Sequence, residues 1–213
     1  MKSSALFPIA VIAALAAATL APAVRAETPP TKPLFELTLD LDNDGTMDRV
    51  VLVGPRDAGT ANKGWSVIGQ DDRVDLYIYL GAGDAPLDLS RPPTFRKDGI
   101  AIGERRNQIL PLERSGKGSL LVKTGYSLFS NYADETLTIV YRNGEFLVAG
   151  LSYDFELKSG EQGQCDINFL TGKGVASKGP HGKMKPIPGH FTPVKLADWS
   201  PKSYPKACND INN

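Results

Sequence analysis

The residues 136–151 read TLTIVYRNGEFLVAGL and give the clearest indication of the fold class of this chain. Two runs rich in β-branched and aromatic residues flank Asn143 and Gly144. This dipeptide readily adopts the two positive φ angles of a type I′ turn, and such a turn sets Tyr141 opposite Phe146. The stretch therefore predicts an antiparallel β-hairpin.

Other β-prone runs surround this hairpin, and no long amphipathic helical pattern interrupts them. The 21 glycines and 16 prolines divide the chain every few residues, and residues 55–72 and 83–98 are expected to be loops or short irregular links. The sequence predicts an all-β antiparallel sheet domain, either a sandwich or an incomplete propeller-like sheet. Further strands are predicted at residues 34–39, 49–53, 74–80, 119–124 and 165–170.

The first 26 residues are typical of a signal peptide. Lys2 provides a positive start, residues 7–20 are apolar, and residues 24–26 form a small-residue cleavage pattern. The apolar run is shorter than the ~20 residues that span a bilayer, so no transmembrane anchor is expected after cleavage. We expect a periplasmic or secreted bacterial protein with a single β-rich domain at residues 27–213.

Cys165 and Cys208 are the only cysteines of the chain. Two cysteines in an exported protein most simply form one disulfide, and neither has a neighbouring pattern that supports a metal site or a nucleophile. Six prolines lie between them. We therefore expect a Pro/Gly-rich C-terminal segment that the disulfide clips to the sheet.

The 24 basic and 24 acidic residues balance, but their distribution is uneven. Residues 173–213 form a basic, loop-rich tail with seven lysines against Asp198 and Asp210. Such a tail is either a solvated surface or a binding site for an anionic partner. No nucleic acid is expected as a partner, because aromatic residues for base stacking are not interleaved with these lysines.

The segment 40–48 reads DLDNDGTMD and concentrates four carboxylates around one glycine. Oxygen ligands on a flexible loop suit a hard cation such as Ca²⁺. Gly45 lies where the chain must bend sharply and a Cβ would obstruct the turn. The predicted calcium ligands are the carboxylates of Asp40, Asp42, Asp44 and Asp48 and the backbone carbonyl of Thr46.

An acidic turn without a metal is the alternative interpretation, because Asp44-Gly45 is a strong turn signal by itself. Two unit charges about 6 Å apart repel by roughly 0.7 kcal/mol even in water. Four carboxylates in nine residues form several such pairs. Because this repulsion brings no benefit unless a cation offsets it, the pattern favours a metal site.

The loop is not an EF-hand, because Val51 occupies the twelfth position, where an EF-hand has its closing carboxylate. It lies between two strand-like segments and resembles the calcium loop of the FG-GAP and VCBS repeat family, found in bacterial surface proteins and integrin propellers. The run 74–81, VDLYIYLG, resembles the strand that follows in such repeats. The resemblance covers one copy, about a quarter of the chain. It implies that Asp40, Asp42, Asp44, Thr46 (through its backbone) and Asp48 bind calcium.

Patterns of common enzyme sites fail at specific positions. Residues 80–86 lack the third glycine of a dinucleotide-binding turn, and residues 170–174 lack the hydroxyl residue that follows the lysine of a phosphate loop. His181 and His190, the only histidines, lie in a Pro/Gly/Lys-rich stretch that offers little packing to hold a catalytic group, so we expect neither to be catalytic. Carboxylate pairs for glycoside hydrolysis stay open, since 24 acidic residues allow many pairings.

Two functions follow from these patterns. The first is an exported, non-catalytic calcium-binding protein whose ion supports a surface that contacts another protein or an envelope polysaccharide. The alternative is an envelope hydrolase that acts on polysaccharide or peptide and holds calcium for structure only. A cleft with two carboxylates would favour the enzyme, and a flat sheet face displaying Tyr77 and Tyr79 would favour binding.

Overall fold

The structure, a computed structural model, describes most of the chain from Thr31 onward. The expected signal peptide, residues 1–26, lies outside the described residues. Within them, no helix is both long enough and apolar enough to cross a membrane. The described residues are 31–55, 58–60, 64–83, 85–103, 108–128, 131–179, 182–200, 205, 206 and 208.

Strands make up most of this described chain, and a short 3-10 helix, Leu196–Asp198, follows the last of them. Every strand pairing is antiparallel, so the all-β antiparallel prediction is confirmed. The strands are β1 (Thr31–Leu39), β2 (Asp48–Pro55), β3 (Gly59–Thr60), β4 (Ser66–Val67), β5 (Arg73–Tyr79), β6 (Phe95–Ile102), β7 (Gln108–Ile109), β8 (Glu113–Arg114), β9 (Leu120–Leu128), β10 (Asn131–Arg142), β11 (Glu145–Glu156), β12 (Gln162–Asn168), β13 (Lys173–Lys178), β14 (Lys185–Pro186) and β15 (Val194–Lys195).

The strands form two sheets. The smaller sheet has the order β1-β2-β5-β6, and the larger has the order β14-β13-β12-β11-β10-β9-β7-β4-β3. In addition, β15 pairs with β11 and β8 pairs with β9. Buried side chains of both sheets form one hydrophobic core, in which Leu52 and Leu76 come from the smaller sheet and Leu120 and Ile139 from the larger. This common core is the arrangement of a two-layer sandwich.

The hairpin of β10 and β11 has the predicted turn. Asn143 and Gly144 have φ angles of 53° and 80°, and Tyr141 lies opposite Phe146. The two rings pack with their centroids 4.7 Å apart. Phe146 also packs against Phe95 of β6, at 4.9 Å between centroids, so this hairpin connects the two sheets.

Part of the region expected to be loop is strand instead. Residues 95–98 belong to β6, an edge strand whose alternating pattern is hidden because three consecutive charged residues, Arg96, Lys97 and Asp98, follow Phe95. Lys97 is half-buried on this strand. Its Nζ donates a hydrogen bond to the carbonyl of Ala197 over 2.9 Å, and this bond reduces the cost of burying the charged group. Short strands β3 and β4 likewise lie within the range 55–72.

The C-terminal segment is tied to the larger sheet. Cys165 of β12 and Cys208 form the predicted disulfide, with Cα atoms 5.5 Å apart. The tail is also more ordered than its composition predicts, because β13 pairs with β12 along its length and Leu196 and Trp199 are buried in the core. The disulfide thus adds to packing that the segment already has.

Candidate metal centre

The acidic segment closes the hairpin of β1 and β2. The pairing of the two strands ends at Leu39 opposite Asp48, so residues 40–47 form the connecting loop. Asn43 and Gly45 have φ angles of 61° and 87°, the left-handed conformation that favours glycine. An added Cβ at Gly45 would meet no atom within 4 Å, so the turn requires glycine for its backbone angle rather than for space.

Three of the predicted carboxylate ligands come together in this loop. Each of Asp40, Asp42 and Asp48 offers one oxygen, and these oxygens lie within 4.8 Å of one another. Asp48 is fully buried, while Asp40 and Asp42 are half-buried. Three clustered oxygen donors are a donor set that fits a hard cation such as Ca²⁺.

Asp48 also holds the loop in place. Its Oδ2 accepts a hydrogen bond from the amide of Leu41 over 2.8 Å, and its Oδ1 accepts one from the amide of Gly81 over 2.8 Å. An ionised carboxylate has about four lone-pair positions, so two amide donors leave capacity for a cation. Asp48 therefore serves the local fold whether or not a metal is bound.

Asp40 carries the clearest unsatisfied atom of the loop. Its Oδ2 accepts a long hydrogen bond of 3.2 Å from the amide of Gly45. Its Oδ1 is buried and has no hydrogen-bond partner among the described residues. A buried carboxylate oxygen without a partner costs free energy, and a bound cation or a proton would remove that cost.

Electrostatics within the loop disfavour full ionisation. Burial raises the pKa of Asp42, and the negative charges of Asp48, Asp44 and Asp40 raise it further. The amide of Asp44, which donates to Asp42 Oδ1 over 3.2 Å, acts in the opposite direction and lowers this pKa. The acidic residues are thus close enough to repel one another, as the sequence predicts.

Asp44 does not join the three-carboxylate cluster. It is exposed, and its Oδ1 accepts a hydrogen bond from the amide of Thr46 over 2.6 Å. The carboxylate of Asp44 and the carbonyl of Thr46 therefore stay predicted ligands.

Sequence reasoning missed a second attachment of the loop, to the segment that follows β5. Besides the bond between Gly81 and Asp48, the amide of Gly83 donates to the carbonyl of Met47 over 2.7 Å. Gly81 and Gly83 have φ angles of 65° and 47°. The paired glycines of Leu80-Gly81-Ala82-Gly83 were the only sequence signal of this contact.

The tyrosine face that would favour a flat binding surface is not formed. Tyr79 is 7% exposed and packs with Val51 and Val53. Tyr77 is half-buried beneath Arg96, whose guanidinium carbon lies 5.1 Å from the ring centroid. Both tyrosines therefore pack against other residues on the outer side of the smaller sheet.

A second group of carboxylates lies on the larger sheet. Asp134 of β10 and Asp154 of β11 are direct cross-strand neighbours, and Tyr132 donates its hydroxyl hydrogen to Asp134. Burial, followed by the charge of Asp134, raises the pKa of Asp154. Asp154 and Glu156 line a cavity of about 200 Å³, which we call the Asp154 cavity.

Of the two histidines, His181 lies outside the described residues. His190 is exposed, and its ring lies so close to Gly172 that a Cβ there would collide with it. The described residues contain no metal-binding cluster that includes His190.

Comparison with protein families, with curated protein sequences and with solved structures gives no match to this chain. The resemblance of the acidic loop to FG-GAP and VCBS repeats therefore stays a prediction from residues 40–48 and 74–81.

Proposed function

We propose that this chain is an exported, non-catalytic calcium-binding protein in which the ion orders the 40–48 loop and the neighbouring turn as part of an interaction surface. Asp40, Asp42 and Asp48 supply the clustered carboxylates, and Asp44 and the Thr46 carbonyl complete the ligand set. The observation that carries the proposal is the buried Oδ1 of Asp40, which has no hydrogen-bond partner among the described residues.

Calcium suits this loop better than the smaller divalent cations. Ca²⁺ accepts six to eight oxygen ligands in flexible geometry, whereas Mg²⁺ requires a near-ideal octahedron and keeps several waters. A hairpin loop that combines carboxylates with a backbone carbonyl offers irregular oxygen geometry, which suits Ca²⁺. One ion would offset the burial and the charge repulsion that together raise the pKa of Asp42, and it would satisfy Asp40 Oδ1.

The binding test uses calorimetric titration of metal-stripped protein with CaCl₂ and, separately, with MgCl₂. We expect saturable binding of one Ca²⁺ per chain and weaker binding of Mg²⁺. Asp42→Asn should remove the calcium signal, because it deletes a charge from the cluster without changing side-chain size. Asp71→Asn is the matched control, since Asp71 lies exposed in a turn. Equal binding by the two variants would refute the proposed ligand set.

Export has its own test. The signal-peptide pattern of residues 1–26 supports it, and so does the disulfide between Cys165 and Cys208, because disulfides persist in oxidising compartments. After expression of the full chain in a bacterium, mass spectrometry of the periplasmic or secreted fraction should find a protein that begins at Glu27. Full-length chain confined to the cytoplasm would contradict export.

A hydrolase is the second candidate, favoured by the carboxylates of the Asp154 cavity. General acid catalysis benefits from a carboxyl group with a raised pKa, as burial and Asp134 produce at Asp154. The cavity volume of about 200 Å³ is below the 300–1,000 Å³ of typical ligand sites, and this favours the non-catalytic function. The hydrolase would be favoured if the protein hydrolysed polysaccharide or peptide, and if Asp154→Asn abolished this activity while Asp71→Asn preserved it.

A further inference from the structure

One end of the sandwich gathers several of its connections. The loop 40–47, which joins β1 to β2, lies there, since Leu41 and Asn43 line one cavity together with Lys117 and Thr171 of the larger sheet's turns. In the larger sheet, the turn 115–119 leads into β9, Asn143-Gly144 joins β10 to β11, and the turn 169–172 joins β12 to β13. The register of β9 to β13 places these three turns at the same end of their sheet.

The loop 40–47 and the turns 115–119 and 169–172 border an open cavity of about 410 Å³, which we call the loop-end cavity. Its volume lies within the range of about 300–1,000 Å³ of ligand sites, unlike that of the Asp154 cavity. Leu41 and Asn43 of the acidic loop form part of its wall, and Val140 and Tyr141 of β10 form another part. The proposed calcium loop thus borders the larger of these two cavities.

Two cationic side chains line the loop-end cavity. Lys117 and Arg142 are both exposed, and no carboxylate of the described residues pairs with either. Lys123 and Lys195, by contrast, pair with Glu113 and Glu145. The cavity therefore offers two cations that are available to a ligand, and this complements an anion.

The remaining polar groups of the cavity suit a ligand with hydroxyl groups. Ser119, Asn168 and Thr171 line it, and each side chain can both donate and accept hydrogen bonds, as a sugar hydroxyl does. The Oδ1 of Asn168 accepts a hydrogen bond from the amide of Thr171 over 3.0 Å. Because this bond orients the side-chain amide of Asn168, its NH₂ group stays available as a donor. Tyr141, held by its ring contact with Phe146, adds an apolar surface with a polar tip.

We infer that the loop-end cavity binds an acidic saccharide, with Lys117 and Arg142 contacting its carboxylates. An extended acidic peptide fits less well, because peptides commonly bind by adding a strand to a free sheet edge. Here the wall consists mainly of turns, and the free edge of β10 is limited to residues 140–142, which lie beyond its pairing with β9 and are paired with β11 alone. Turn side chains offer separate polar contacts rather than a row of backbone groups.

This inference rests on the proposed function, because Leu41 and Asn43 alternate with the calcium ligands Asp40, Asp42 and Asp44. Binding of the ion would fix this wall and would neutralise carboxylates that otherwise repel an anionic ligand. The saccharide should therefore bind more tightly to the calcium-loaded protein than to the metal-stripped protein.

The test is calorimetric titration of calcium-saturated protein with trigalacturonate and with its fully methyl-esterified form. Esterification removes the charges and keeps the sugar rings, so we expect about tenfold weaker binding or more. The variant Lys117→Gln, Arg142→Gln should show the same loss for trigalacturonate. The control variant Arg73→Gln, Lys178→Gln removes equal charge from exposed positions at the opposite end of the strands and should bind as the parent does.

Several outcomes would overturn the inference. These are no binding of trigalacturonate, equal binding of the ester, equal loss in both double variants, or tighter binding of hexaglutamate than of trigalacturonate. The proposed function fails separately: it is refuted if metal-stripped protein binds no calcium. Calcium binding without saccharide binding leaves the metal site intact and refutes only the cavity ligand.

Discussion

Asp48, the first residue of β2, accepts the amide hydrogen of Gly81 over 2.8 Å and so joins the acidic loop to the turn that follows β5. Its other oxygen accepts the amide of Leu41 over 2.8 Å. A single buried carboxylate thereby satisfies two backbone donors from separate segments. Asp48 differs in this respect from Asp42, which has no such partner outside its own loop among the described residues.

This difference predicts opposite effects for two isosteric changes in the absence of calcium. Asp48→Asn replaces one acceptor with an NH₂ group that faces a backbone donor, so we expect a loss of about 1–3 kcal/mol in the free energy of unfolding. Asp42→Asn removes only charge repulsion and should leave stability equal or slightly higher. Denaturant unfolding with excess chelator measures both. Equal stabilities of the two variants would contradict a role of Asp48 in joining the acidic loop to the turn that follows β5.

Asp44 and Asp42 should also differ in their calcium response. The carboxylate of Asp44 lies outside the three-carboxylate cluster and accepts the amide of Thr46. We therefore expect Asp44→Asn to retain more calcium-dependent stabilisation than Asp42→Asn. The shift in melting temperature on adding calcium to each metal-stripped variant is the measurement, and the reverse order would make Asp44 the stronger ligand.

The hairpin turn and the closeness of the loop carboxylates can be predicted from the sequence because both depend on local chemistry. Asn143-Gly144 determines its turn by backbone angles alone, and the observed pairing of Tyr141 with Phe146 follows from it. Of the four carboxylates at positions 40, 42, 44 and 48, those of Asp40, Asp42 and Asp48 likewise come together within one loop. Neither result needs knowledge of distant contacts.

Features that depend on tertiary contacts are not visible in the sequence. Lys97 occupies a half-buried strand position because the carbonyl of Ala197 compensates its charge, and these residues are 100 positions apart. Strand β13 forms from a lysine- and glycine-rich segment because β12 offers it a partner. The hydrogen bond from Gly81 to Asp48 joins residues 33 positions apart and is likewise not visible in the sequence.

The disulfide should contribute strongly to stability without affecting the metal site. Cys165 and Cys208 are 43 positions apart, and a loop of this length corresponds to roughly 4 kcal/mol in the chain-entropy model. We expect Cys165→Ala, Cys208→Ala to lose a large part of this amount in denaturant unfolding. Its calcium-dependent shift should stay the same, and thiol counting on denatured, unreduced parent protein should find no free thiol.

Two free thiols in parent protein purified from the envelope would contradict the disulfide. A double variant that unfolds at the same denaturant concentration as the parent would show that packing of β13 and Trp199 alone holds the segment.

The cross-strand pair of Asp134 and Asp154 predicts a pH-dependent effect. Because burial and Asp134 raise the pKa of Asp154 in the folded state, its ionisation costs more there than in the unfolded chain, where the pKa is about 3.9. The penalty is absent below the unfolded pKa and fully present above the raised folded pKa. Asp154→Asn should therefore stabilise the protein at pH 7 by about 0.2–1 kcal/mol, the range for cross-strand charge pairs.

The stabilisation by Asp154→Asn should vanish as the pH falls below about 4, because Asp154 is then protonated in both the folded and the unfolded state. Unfolding by denaturant at several pH values measures it, with Asp71→Asn as the exposed control. A stabilisation that is equal at all pH values would show that the charge of Asp154 is not its cause.

Thermal unfolding of metal-stripped protein, with calcium and with chelator, tests whether the 40–48 loop binds calcium. A ligand at 100 times its dissociation constant stabilises the native state by about 2.7 kcal/mol, so calcium should raise the melting temperature of the parent and of Asp71→Asn by several degrees. The melting temperature of Asp42→Asn should not change, because its carboxylate cluster is incomplete. A parent melting curve that is identical with calcium and with chelator would contradict calcium binding by the 40–48 loop.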